Sequence, residues 1–364
     1  MSAQSRIFGL DLLRTVAILL VCLLHGREFL TPYFPSFPDL WFVDGVDLFF
    51  CLSGFLIGRI FIKEFSKTGS FEINQIVAFW KRRWFRTLPN FYLILALNLV
   101  FYFVRNRNFN IEGLWRYPLF LQNFNVVRCF HFFTESWSLA VEEWFYLGFP
   151  IFCVLLSFFI KRSIQKIVLT GTVLIIFGSI IARNLIGNQF PNLDTFTWIK
   201  EFRDVVIFRV DSIVYGVLGA YLSIYYSNIW LKYKNGLIVF GVIGLGYLFK
   251  FYPVAESNFY KMNYDVLCSI FILSTLPFLS TWNIDAENMV NKIVTFISKI
   301  SYSMYLINAS LVFNFINIYN RAESGRQAII NYFIFWIVTI SFSFLIYQYF
   351  ERPTTALRDK KVIL

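Results

Sequence analysis

The sequence predicts an all-α, polytopic transmembrane bundle of about ten spanning helices. Three observations predict it. Of 364 residues, 57% are hydrophobic and only 15% are charged, too few charges to cover a soluble protein of this size. Mean hydropathy is +0.59, and apolar runs of spanning length recur along the whole chain. The 46 Phe, 20 Tyr and 10 Trp suit aromatic belts at two membrane interfaces. The expected spans are 7–25, 41–62, 85–104, 137–160, 164–186, 205–226, 235–252, 262–281, 293–315 and 330–350. Ten crossings place both termini on one side. The basic residues of 63–86 and 352–361 make that side the cytoplasm. The net charge of +11 fits this asymmetry, attraction to anionic headgroups, or an anionic ligand at the inner face. With no basic tail or basic soluble domain, nucleic-acid binding is not expected. No internal repeat or linker interrupts the chain, so residues 1–364 form a single domain.

The first span carries Asp11, Arg14 and His25. An ionisable group at membrane depth costs roughly 2.5–3.5 kcal/mol, so three in one span need a reason. Arg14 and His25 are eleven residues apart. At 3.6 residues per turn they share a helix face, about 16 Å apart along the axis. Asp11, one turn before Arg14, is expected to pair with it. A salt bridge to Asp11 and the binding of an anion by Arg14 are compatible. On position alone, His25 is either an interfacial residue bonding headgroups or a functional imidazole. Acid and base inside the apolar run exclude a cleavable signal.

Asp44 and Asp47 flank the entry of the second span, where the helix dipole favours acids. Ser53 and Gly54, mid-span, read as small residues for close helix packing. Ser53 lacks the GxSxG surroundings of a nucleophile. Lys81, Arg82, Arg83 and Arg86 sit where the third span begins. Such runs commonly anchor the inner interface. Arg83 and Arg86 are three apart, however, and share a face that can clamp phosphates. The stretch 114–124 is too short to cross and reads as interfacial or re-entrant. Trp137 and Ser138 open the fourth span, followed by Glu142 and Glu143. Trp137 is either a belt residue or a stacking platform for a sugar ring. Adjacent helical positions point about 100° apart, so the two glutamates cannot face one pocket equally. Arg209 and Asp211 open the sixth span, with structural pairing as the default. The five cysteines form no CxxC pair, and only His25 and His131 accompany them, so no metal site is expected. His131 lies in an aromatic outer loop and is a weaker candidate for touching a substrate.

The stretch LDLLRTVAILLVCLLH, with Arg14 and His25, resembles the signature of the acyltransferase 3 family of multi-pass membrane O-acyltransferases. VDLFFCLSGFLIG (46–58), RRWFRTLP with Arg83 and Arg86, and ESWSLAVEEWFYLGFP (135–150) are similar to further motifs of that family. So are FRVDSIVYGVLGA (208–220), SYSMYLIN (301–308) and YFERP (349–353), in the same order along nearly the whole chain. Two positions depart from the pattern. Asn308 stands where many members carry His, and Trp144 where Gln is common. Some relatives carry an added soluble esterase-like domain, which is not expected here.

The resemblance implies transfer of an acyl group, most simply acetyl, from cytosolic acyl-CoA to a hydroxyl of a glycan, glycolipid or other carbohydrate-containing acceptor. Acyl-CoA would be a donor substrate, with no permanently bound cofactor. His25 would be general base or acyl relay, as a neutral imidazole near pH 7 suits either task. Arg14 would bind the donor or steady charge on the attacked carbonyl oxygen. Arg83 and Arg86 would hold donor phosphates. Glu142 matches the family glutamate, a catalytic candidate. Asp47, Trp137, Ser138 and Arg209 are acceptor-binding candidates. The expected location is a bacterial plasma membrane, in contact with lipid. The competing reading is a proton-coupled transporter using Asp11, Arg14 and His25 as a relay.

Overall fold

The structure is a computed structural model, and it describes residues 6–35, 44–105, 112–124, 132–160, 163–190, 194–251 and 257–357. The described residues form ten long helices: α1 (Phe8–Gly26), α2 (Gly45–Thr68), α3 (Ile73–Arg105), α4 (Ser136–Phe159), α5 (Ile164–Gly187), α6 (Val206–Tyr225), α7 (Lys234–Phe251), α8 (Asn258–Leu279), α9 (Met289–Ile307) and α10 (Gly325–Ile346). Each expected span centres on one of them. Eight helices are long and apolar enough to cross a membrane. The two others differ for physical reasons. The apolar part of α7 is the shorter Lys234–Leu248. Helix α9 carries Lys292 and Lys299 and turns Ser298, Ser301 and Ser303 inward, so its polarity comes partly from facing the protein.

Helices α2 and α6 pack closest. Gly54 and Gly58 form a small-xxx-small stripe on α2, set against Ile213, Gly216, Val217 and Ala220 of α6. A methyl group on Gly54 would overlap the Ile213 carbonyl oxygen, and one on Gly216 would overlap that of Cys51. A buried ionic network ties the same region together. Asp47 of α2 pairs with Arg209 of α6, and with Arg203 at 2.9 Å. Arg209 also reaches Asp265 of α8 at 2.8 Å, and Arg183 of α5 reaches Asp211 at 2.5 Å. Charges this deep are stable only when paired.

Part of the short stretch between α3 and α4 enters the fold, while Trp115 and Leu119 stay exposed. Tyr117, Gln122 and Asn123 are fully buried. Gln122 Nε2 donates to the Ser136 carbonyl, and Asn123 Nδ2 to those of Trp137 and Asp204. Irregular backbone at this depth is tolerated because protein groups satisfy it. The four cysteines within the described residues, Cys22, Cys51, Cys153 and Cys268, are buried and free. Cys129 and His131 lie outside the described residues.

Candidate active site

Two cavities that share lining residues lie between α1, α2, α3, α4 and α9. The larger, of about 110 Å³, is lined by Arg14, Ser53, Arg83, Arg86, Glu142 and Tyr305, among others. Its wall follows α2 from Val46 to Ile57, a rise of about 16 Å at 1.5 Å per residue. The smaller, of about 40 Å³, is lined by His25, Asp44, Glu135 and Trp137. Val46 and Tyr305 line both. The unbroken helix α1 thus delivers Arg14 and His25 to adjoining chambers, as their shared face required.

The expected Asp11–Arg14 pair is not formed. Both oxygens of Asp11 are taken by Arg6, at 2.7 and 2.6 Å, and Ser298 Oγ donates to one of them at 2.8 Å. Arg6 precedes the apolar run, and its long side chain reaches back to the carboxylate. Arg14 instead turns to the larger cavity. Among the described residues, neither Arg14 nor Arg86 has a hydrogen-bond or ion-pair partner. With Arg83 on the same wall, three guanidiniums converge on one space, an arrangement that calls for an anion.

Glu142 faces this cavity and not the one holding His25. The Tyr146 hydroxyl donates to it at 2.9 Å and lies 2.8 Å from Ser53 Oγ, which makes a Ser–Tyr–Glu chain along the wall. Glu143 points elsewhere, as the helix geometry requires, and accepts from Thr87 Oγ1 at 2.7 Å. Lys81 and Arg82 are not among the cavity-lining residues: Arg82 pairs with Glu64 at 3.0 Å, and Lys81 lies over the Phe85 ring.

The His25 chamber is held by Asn308. The Asn308 Nδ2 donates to the carbonyls of Met304 and Tyr305, at 2.9 and 2.8 Å. That fixes the amide with its Oδ1 toward His25 Nδ1, so Nδ1 must carry the proton and donate. In the neutral form of the ring, the lone pair is then on Nε2. A polar residue therefore does fill position 308, as an orienter of His25.

Glu135 is the functional candidate that sequence reasoning missed. It is 1% exposed. Its Oε1 accepts from the backbone N–H groups of Ala309 and Ser310, both at 2.8 Å, in the π-helical turn Asn308–Phe313. Its Oε2 is buried and has no hydrogen-bond partner. Burial raises the Glu135 pKa, while the nearby His25 and the two backbone donors oppose that rise. The available signal was an acid two residues before Trp137, in the motif already singled out.

The acceptor-binding candidates divide. Trp137, 8% exposed, lines the His25 chamber and packs edge-on against Phe50, so it is not a surface belt residue. Ser138 lines the larger cavity and lies 2.6 Å from the Tyr305 hydroxyl. Asp47 and Arg209 lie in the buried ionic network, paired with each other. Trp144 donates to the Phe120 carbonyl at 2.9 Å and lines neither cavity.

Comparison with known proteins covers the same ground. "Putative O-acetyltransferase SACOL0978" of Staphylococcus aureus (strain COL) is 27% identical over 384 residues, covering 95% of this chain and 56% of that protein. "O-acetyltransferase OatA" of Staphylococcus aureus (strain NCTC 8325 / PS 47) is 24% identical over 371 residues, again covering 95% and 56%. The chain thus spans about half the length of the curated relatives it matches. No solved structure matches it. The acyltransferase 3 family, described as "Acyltransferase domain", matches residues 7–348, and the chain belongs to that family.

Proposed function

We propose that the protein moves an acetyl group from cytosolic acetyl-CoA to a hydroxyl of a carbohydrate-containing acceptor at a bacterial plasma membrane, with both termini in the cytoplasm. One observation carries this reading: a chamber of three guanidiniums adjoins a chamber holding an imidazole with a free basic nitrogen. Arg83 and Arg86 suit donor phosphates, and Arg14, on the same cavity wall, adds a third cation for the anionic donor. His25 Nε2 takes the proton of the acceptor hydroxyl as its oxygen attacks the thioester carbon. The carbon–sulfur bond then breaks, and the departing thiolate receives that proton from the imidazolium. Glu135, beside His25, stabilises the imidazolium between the two steps. Enclosure between helices keeps bulk water from the thioester. The names of the relatives, O-acetyltransferases, support the reaction class.

The test is mass spectrometry of cell-envelope glycans from cells expressing the wild type or His25→Ala. An acetyl mass increment that depends on His25 supports the reading. A transport function would instead give substrate flux with no acetyl increment and no CoA release.

A further inference from the structure

Val46 and Tyr305 line both chambers, and Tyr305, 6% exposed, is the larger of the two. Its hydroxyl lies 2.6 Å from Ser138 Oγ and donates to the Glu135 carbonyl at 3.1 Å. Its ring meets Phe49 edge-on at 6.1 Å. Its own carbonyl accepts from the Asn308 amide that orients His25. A side chain latched at its tip, at its ring and through its backbone is a fixed partition. The chamber beyond it measures about 40 Å³. On the same scale a cavity of about 150 Å³ holds benzene, so the chamber has room for about one or two non-hydrogen atoms. The methyl end of an acetyl group fits that room, and a butyryl or hexanoyl chain exceeds it.

We infer that Tyr305 is the specificity-determining residue for the acyl chain, because its ring sets the size of the chamber in which the acyl group meets His25. The inference rests on the acyl-CoA reading above. In this arrangement the donor lies along the guanidinium cavity, and only its acyl tip passes Tyr305. A longer chain must either displace the ring or stop short of His25. Tyr305→Ala joins the two chambers and removes the limit. Tyr305→Phe keeps the ring and therefore the limit.

The experiment measures binding to the purified full chain, so that no acceptor is needed. The probes are CoA itself and the non-hydrolysable thioether analogues of acetyl-CoA and hexanoyl-CoA. The wild type and Tyr305→Phe are expected to favour the acetyl analogue over the hexanoyl analogue by about tenfold or more, the discrimination one or more excess methylenes produce in a closed pocket. Tyr305→Ala is expected to bring the two within about threefold of each other. Unchanged affinity for CoA certifies the fold of each variant. The same acetyl preference in all three proteins overturns the inference while leaving the acyl-CoA reading intact. Failure of the wild type to bind any of the three probes overturns both.

Discussion

The Asn308 carboxamide faces the His25 imidazole, and two backbone carbonyls dictate which of its ends does so. That relationship makes Nδ1 the donor and, in the neutral ring, leaves the lone pair on Nε2. Asn308→Leu removes the acceptor that holds this tautomer. The rate of CoA release is expected to fall about 10- to 100-fold, within the range of general acid–base effects. Donor KM is expected to change little, because Asn308 lines neither cavity. Steady-state kinetics against acetyl-CoA concentration separates the two effects.

Arg86 is placed in the guanidinium cavity with no hydrogen-bond or ion-pair partner among the described residues. A charge-assisted hydrogen bond contributes about 1.5–3 kcal/mol. Arg86→Ala is therefore expected to raise the KM for acetyl-CoA about 10- to 100-fold. Acetyl-pantetheine, which lacks the nucleotide phosphates, is expected to be equally poor with both proteins. A loss of the same size for both donors would place Arg86 elsewhere than on a phosphate.

Glu135 supplies a pH dependence of stability. Burial raises its folded-state pKa above the value in the unfolded chain. The folded state then binds the proton more tightly, so the group stabilises the fold fully below its unfolded pKa. That stabilisation is lost as pH rises through the higher folded-state pKa. Glu135→Gln retains an oxygen for the Ala309 and Ser310 donors but does not ionise. Melting in detergent micelles across this pH window is expected to show Glu135→Gln gaining on the wild type as pH rises. A constant difference would mean that the carboxyl titrates normally.

Gly54 tests the helix contact that positions the α2 wall. Its Cβ would overlap the Ile213 carbonyl oxygen, which belongs to α6 backbone and cannot rotate away. Gly54→Ala is expected to cost about 1–3 kcal/mol, seen as a lower thermal midpoint. Gly236→Ala, where a Cβ has open space, is the matched control and is expected to leave the midpoint near that of the wild type.

Much of this site was legible because helix geometry converts spacing into direction. Arg14 and His25 share a face by spacing alone, as do Arg83 and Arg86, and both pairs line the chambers. Glu142 and Glu143 diverge for the same reason. Contacts between distant segments were not legible. The two donors to Glu135 lie 174 and 175 residues further along the chain, and Asp47 meets Arg209 across 162 residues. Asp11 had a plausible partner one turn away, but local proximity did not compel that pair when Arg6 could reach the same carboxylate. Helix α9 falls outside the eight apolar spans partly because Ser298, Ser301 and Ser303 face inward, and hydropathy cannot distinguish inward polarity from exposure.

The most direct measurement is CoA release from acetyl-CoA by the purified protein, supplied with extracted cell-envelope glycans, beside His25→Ala. Release by the wild type and a loss of at least about 100-fold in the variant, with acetyl-CoA binding retained, is the predicted result. Equal release by the two proteins would contradict a basic role for His25 and, with it, the proposed chemistry.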